Sequence, residues 1–281
     1  MKSDVASFEK DSINERKYFE QLLNEHAINN SDYIWIAKKY LRFNEENKAL
    51  EYLKKAVLHG ESDTTMRLGE FKKFNTLWRK FREEYPKLMA EFYSHFDMDL
   101  YTSLAQMTYN EQYVRTHIDT ASLKKREKRY TFPFVQQVDS LNWSRLKPIL
   151  DKDYPTLQQI GTKGDEYLHI LLTHASTEHI EYLNPIFEKA VKNNLMSPMN
   201  YAVIMDRIEF YKQINNPVRY QVYGTSTMKG ALLPIKDLEN VDKQRLSIGL
   251  EPLFYTCKSR DIPLPKGYEY SYQNFLKTKC Q

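Results

Sequence analysis

The side chains with the clearest chemical potential in this sequence are His174, Asp206, Arg207 and Tyr223. His174 stands near the end of an apolar run from Tyr167 to Ala175, and an imidazole there can take or give a proton near neutral pH. Asp206 is placed to orient it, while Arg207 and Tyr223 are the types that steady a developing anion. Asp206 and Arg207 sit in the middle of a stretch from Pro198 to Ile214 that is apolar nearly all round: Tyr201, Ile204, Met205, Ile208 and Tyr211 on one side, Val203, Phe210 and Ile214 on another. A helix of that kind is expected to be buried, and an unpaired charge inside it costs several kcal/mol. Both charges therefore need partners. A carboxylate such as Glu111 or Asp139 would brace Arg207, and backbone or tyrosine donors would hold Asp206. Either that bracing is purely internal, or the two residues share a polar pocket with His174.

A second set of polar residues could hold a ligand. Glu111 and Arg115 are one helical turn apart with Gln112 beside them, and Asp139 precedes Asn142 on the next helix. Gln221, Tyr223, Gly224 and Thr225 follow in a segment of strand character, where glycine lets another chain or a ligand come close. Metal binding is not expected: His174 and His179 are five residues apart, about 140° round a helix, where chelation from one face needs about four. No cofactor is expected either, because the sequence has no phosphate-binding glycine loop, dinucleotide fingerprint, C-x-x-C pair or H-E-x-x-H helix. Lys124, Lys125, Arg126, Lys128 and Arg129, interrupted by Glu127, read as a solvated helix end rather than a phosphate strip, so nucleic acid is not an expected partner.

These residues are carried by elements whose pattern is mostly helical. The chain has 281 residues, with 41 Lys+Arg against 37 Asp+Glu, and 35 of its residues are Tyr or Phe. That size allows one large or two ordinary domains. No run of about 18 apolar residues exists, which excludes a membrane-spanning helix. The first residues lack the apolar core of a signal peptide, so the chain as it stands reads as cytoplasmic, and as extracytoplasmic only if a signal has been removed. Cys257 and Cys280 are expected as free thiols in the first case and as a bridge in the second.

Residues 1–100 read as a helical segment. Ser31 or Asp32 is a candidate N-cap for Tyr33, Ile36, Ala37, Tyr40 and Leu41, and Ala49, Leu50, Leu53, Ala56 and Val57 rebuild the stripe before Gly60. The two helices resemble one tetratricopeptide-type hairpin, with no second copy at the repeat period. Pro86 is expected to separate two further helices. Residues 101–255 read as a helical domain in which Thr162 and Asp165 form a capping box, Ser197-Pro198 opens a helix, and Tyr220–Thr225 pairs with Ala231–Ile235 as a β-hairpin. Short helices follow Asn240 and Pro252, and 256–281 forms an irregular tail. The expected fold class is thus mainly α, with a small C-terminal β-hairpin.

The span from Met107 to Leu253 resembles an uncharacterised bacterial family, a domain of unknown function. The resemblance rests on Glu111, Gln112 and Arg115; Asp139 and Asn142; His174 and Ala175; Asp206 and Arg207; and Gln221, Tyr223, Gly224 and Thr225. A dense closing series completes it, with Pro234, Ile235, Asp237, Val241, Asp242, Arg245, Gly249, Leu250, Pro252 and Leu253. Thr173, Glu111 and Gln244 depart from the usual glutamine, aspartate and arginine. The resemblance implies that these polar residues belong to one module, and it implies no activity. The leading expectation is a binding or interaction protein, its partner another protein or a small anionic ligand, with a polar pocket in the second domain. The competing expectation is an enzyme of hydrolase or transferase type using His174, Asp206, Arg207 and Tyr223.

Overall fold

The computed structural model describes residues 5–6, 8–25, 32–61, 69–117, 128–272 and 275. It is mainly α-helical with one two-stranded antiparallel sheet near the C-terminal end. The helices are α1 (Ser12–Glu25), α2 (Tyr33–Arg42), α3 (Glu46–Leu58), α4 (Asn75–His95), α5 (Met98–His117), α6 (Lys128–Leu150), α7 (Leu157–His174), α8 (Thr177–Lys192), α9 (Pro198–Lys212), α10 (Val241–Ser247) and α11 (Leu253–Ser259). Strands β1 (Thr227–Met228) and β2 (Ala231–Leu232) lie between α9 and α10. No helix among the described residues is long and apolar enough to cross a membrane.

The chain divides into two compact units: a central one, Ile28–Ile186, and a terminal one built from Met1–Ala27 and Phe187–Gln281. The boundary expected near residue 100 falls within the central unit. There α4 packs on α3, and α5 packs on both α6 and α7. The backbone N–H of Asp97, between α4 and α5, donates to the carbonyl of Gln159 on α7 (2.9 Å), which ties the two sides of residue 100 together.

In the central unit α2 and α3 form the expected hairpin, burying Ile34, Ile36, Ala37 and Tyr40 against Ala49, Leu53, Ala56 and Val57. Ser31, one of the two cap candidates, lies outside the described residues. Pro86 does not separate helices: α4 runs through it, with Leu77, Phe81, Leu88 and Phe92 buried along one face. That continuous apolar stripe outweighs the single backbone hydrogen bond a proline removes. The cap of α7 is also displaced from the expected position. Thr156 accepts from the Gln159 N–H while the Gln159 side chain returns to the Thr156 N–H, a reciprocal capping box that precedes the expected one at Thr162. Thr162 instead follows a break at Gly161 (φ 64°, ψ 173°) and donates its hydroxyl to the Gly60 carbonyl (3.1 Å).

Asp165, the other half of the expected box, is half-buried on α7, and burial, with a smaller contribution from the Glu166 charge, pushes its carboxyl up to about 6. The folded chain then holds this proton more tightly than the unfolded chain does. Stability from this group is present at low pH and is lost as pH rises from about 4, the ordinary carboxylate value, through about 6. Asp165→Asn should therefore match the parent near pH 4 and exceed it in stability above pH 6, as read from denaturant midpoints at the two pH values.

In the terminal unit Pro198 opens α9 at its first turn and Gly249 (φ 89°) follows α10, both as expected. Val5 packs with Tyr255 and Phe275, and Leu246, Phe254, Tyr270 and Tyr272 close round them. The hairpin is shorter than the sequence suggests. β1 and β2 pair Thr227 with Leu232 and Met228 with Ala231, and Gln221 meets Ile235 only through an isolated bridge. The segment from Tyr220 to Thr225 is not a ladder strand, because the N–H groups that a ladder would use are taken by Asp206.

Candidate functional site

The candidate residues divide between the two units. In the central unit, α5, α6 and α7 bring Glu111, Gln112, Arg115, Asp139 and His174 together around one carboxylate. Glu111 follows Leu104, Met107 and Thr108 on the buried face of α5, which leaves its side chain 1% exposed. Arg115, one turn later, reaches back with Nη1 to Glu111 Oε1 (2.6 Å) and grips Asp139 of α6 with Nη2 (2.9 and 2.8 Å). His174, at the last position of α7, sets Nδ1 2.7 Å from the same Glu111 Oε1. Gln112 donates to Oε2 (2.5 Å). Asn142, one turn beyond Asp139, donates to the Met107 carbonyl (3.2 Å), and Thr108 donates to the Tyr167 carbonyl (3.2 Å). These two bonds stitch α5 to its neighbours on either side of the carboxylate.

The electrostatics follow from this placement. Burial would raise the Glu111 carboxyl, but hydrogen bonding and charge from His174 and the charge of Arg115 outweigh it, and the group stays below its ordinary range. Glu111 is thus a buried anion that meets Arg115 of its own helix and His174 of α7. The site is not sealed: His174, Asp139 and Arg115 keep 30%, 28% and 23% of their side-chain surface exposed. Beyond the described residues lie Lys124–Glu127 of the basic run, as does Cys280. Among the described residues no group of three or more His, Cys, Asp or Glu side chains could hold a metal ion.

In the terminal unit Asp206 is fully buried and accepts four bonds: from the N–H of Val222 and Tyr223 (2.7 Å each) and from the N–H and hydroxyl of Thr225 (2.8 Å each). Burial raises this carboxyl while the four donors pull it back. Backbone donors for Asp206 were expected, and they curl residues 222–225 round it as a β-strand would not. Gln221, also fully buried, donates to the carbonyls of Ser226 (3.1 Å) and Leu233 (2.8 Å) and accepts from the Ser226 N–H (2.8 Å). Gly224 (φ 74°) fits because a Cβ there would lie 2.8 Å from Leu253 Cδ1, so the close neighbour that its position requires is a leucine of α11. Tyr223 packs its ring 6.2 Å from that of Tyr201, and burial, then the Asp206 charge, push its hydroxyl up.

Two expectations for α9 are corrected. The helix is not buried all round, since Tyr211 is 47% exposed and Ile214, just beyond it, 48%. Arg207 is half-exposed, with its guanidinium 4.8 Å from the centre of the Tyr211 ring. The carboxylates proposed for it, Glu111 and Asp139, are the ones that Arg115 holds. Among the described residues of this unit the fully buried cation is Arg245 of α10, which the charge pattern did not single out. It donates to the carbonyls of Glu251 (2.7 Å) and Tyr223 (2.5 Å) and to the Thr256 hydroxyl (2.6 Å). It stands one turn after the buried Val241 on a helix of seven residues, and only the family resemblance includes it. Asp242, its neighbour, accepts from the Leu253 N–H and the Tyr268 hydroxyl (2.7 Å each).

Comparison of the chain with protein-family models, with curated proteins and with solved structures finds no match.

Proposed function

We propose that the chain is a binding protein whose ligand site is the half-exposed cluster of His174, Arg115 and Asp139 over the buried Glu111. One contrast carries this reading. The polar residues of the terminal unit, Asp206, Gln221, Thr225 and Arg245, are buried and spend their hydrogen bonds on holding the irregular chain between α9 and α11. In the central unit His174, Arg115 and Asp139 keep a face toward solvent over the buried Glu111. A buried anion backing exposed polar groups from three helices is an arrangement that folding alone does not need. The resemblance to the uncharacterised bacterial family supports the same residues, because its pattern includes all of them. The α2–α3 hairpin, with its small residues Ala37, Ala49 and Ala56 at the packing face, is the element we assign to a protein partner.

The enzyme reading is kept for one observation, the 2.7 Å pairing of His174 with Glu111, which is how a general base is oriented. It needs an anion stabiliser as well, and Arg115 has both terminal nitrogens committed to carboxylates. Binding is therefore the better-supported reading.

Thermal unfolding with a panel of small acids and amines tests it. At a hundredfold excess over Kd a true ligand should raise the midpoint by roughly 5–10 °C. The rise should vanish in His174→Ala, whose own stability should differ from the parent by less than about 1 kcal/mol. A loss of several kcal/mol in that variant, with no responding ligand, would mark the cluster as internal bracing.

A further inference from the structure

Glu111 Oε1 faces two nitrogens at once: Arg115 Nη1 at 2.6 Å and His174 Nδ1 at 2.7 Å. A guanidinium is a donor at every nitrogen, and a carboxylate only accepts. For a neutral imidazole beside that oxygen, the arrangement that avoids two lone pairs meeting puts the ring proton on Nδ1. The two atoms are buried at contact distance without hydrogen-bond geometry, and it is the avoidance of facing lone pairs that leaves Nε2 without the proton. Nε2 is then the bare acceptor, on a side chain that keeps 30% of its surface exposed.

The charges around it choose the ligand. Glu111 and Asp139 against Arg115 leave a formal charge of −1 while the imidazole is neutral. Arg115 directs Nη1 to Glu111 and Nη2 to both oxygens of Asp139, so an anion arriving here meets carboxylates before it meets a free donor pair. A primary ammonium group has the opposite properties. It carries three donors and no acceptor, and its charge is the complement of the cluster.

We infer that Glu111 is a positioning residue that holds His174 in the Nδ1-protonated tautomer, and that the Nε2 so exposed receives a ligand bearing a primary ammonium group, with Asp139 supplying the neighbouring negative charge. This rests on the binding reading above and replaces the small anion expected from sequence with a cation.

The test uses the full chain labelled with 15N, at pH 8, and follows the His174 ring nitrogens by long-range 1H–15N correlation, identified by their loss in His174→Phe. The expected spectrum has a protonated Nδ1 and a bare Nε2. Ethylammonium should move the Nε2 resonance saturably, and inorganic phosphate at the same ionic strength should not. Glu111→Gln should give a mixture of tautomers and bind ethylammonium about tenfold more weakly, because an amide offers Nδ1 a donor and an acceptor equally. Asp139→Asn lies on the exposed side of the cluster, so it serves if Glu111→Gln fails to fold. It should keep the tautomer and weaken ethylammonium by a similar factor. A parent spectrum with the proton on Nε2 overturns the inference outright. Phosphate moving Nε2 in place of ethylammonium overturns the ligand class but keeps the binding reading, and silence with both removes the two together.

Discussion

Replacing Gly60 by alanine is expected to destabilise the central unit by roughly 3 kcal/mol or more, enough to remove much of the stability of an ordinary domain. Gly60 follows α3 with φ 93°, and a Cβ added there would lie 2.5 Å from the Cα of Gly161 and 3.1 Å from the Leu157 carbonyl oxygen. These neighbours are backbone atoms and cannot turn aside. The substitution must push α3 away from the kink in α7 and break the bond from Thr162 to the Gly60 carbonyl. Gly161→Ala offers an internal comparison. Its φ and ψ of 64° and 173° also demand glycine, yet a Cβ there would meet nothing nearer than Phe92 Cζ at 3.5 Å. That variant should lose only the backbone strain, about 1–3 kcal/mol. Chemical denaturation of the two variants side by side checks the order, and equal losses would show that close approach at Gly60 contributes nothing.

Arg245→Met should cost about 3–5 kcal/mol in the terminal unit. Methionine roughly fills the volume but leaves the carbonyls of Tyr223 and Glu251 and the hydroxyl of Thr256 buried without the donor they now share. The loss should spread to Asp206, because the Tyr223 backbone joins the two: its N–H goes to the aspartate and its C=O to the arginine. Arg245→Lys should recover little of it, since one ammonium on a flexible stem cannot reach three acceptors placed for a planar fork. The measurement is the change in denaturant midpoint together with a double-mutant cycle between Arg245→Met and Asp206→Asn. A coupling energy near zero would separate the two networks.

The helices were legible because each rests on a local period. The stripes of α2, α3 and α9, the start at Pro198 and the stop at Gly249 all lie within one or two turns of the residues that cause them. Pro86 and Thr162 misled because each strong local signal was overruled, by the apolar face of its own helix α4 in the first case and by the distant carbonyl of Gly60 in the second. The candidate site was half legible. Glu111 with Arg115 and Asp139 with Asn142 could be read from helical spacing, whereas the pairing of His174 with Glu111 spans 63 residues and has no period to betray it. Arg207 drew attention through its unexpected charge in an apolar stretch and is half-exposed. Arg245 hides in a seven-residue helix too short for any periodicity to mark its inner face.

The terminal unit is assembled from the two ends of the chain, and that sets an order of events during synthesis. Val5 is made well before Tyr255 and Phe275, on which it packs, and Glu9 accepts from the Tyr255 hydroxyl (2.8 Å). At about 5–20 residues per second, the ribosome takes on the order of ten to fifty seconds to reach those partners. Throughout that interval every residue of the central unit, Ile28–Ile186, is emerging and can complete its own core first. This early segment meanwhile carries apolar side chains without the partners that cover them in the folded chain. The wait is timed by translation of the chain between the segment and those partners and not by any property of the segment itself.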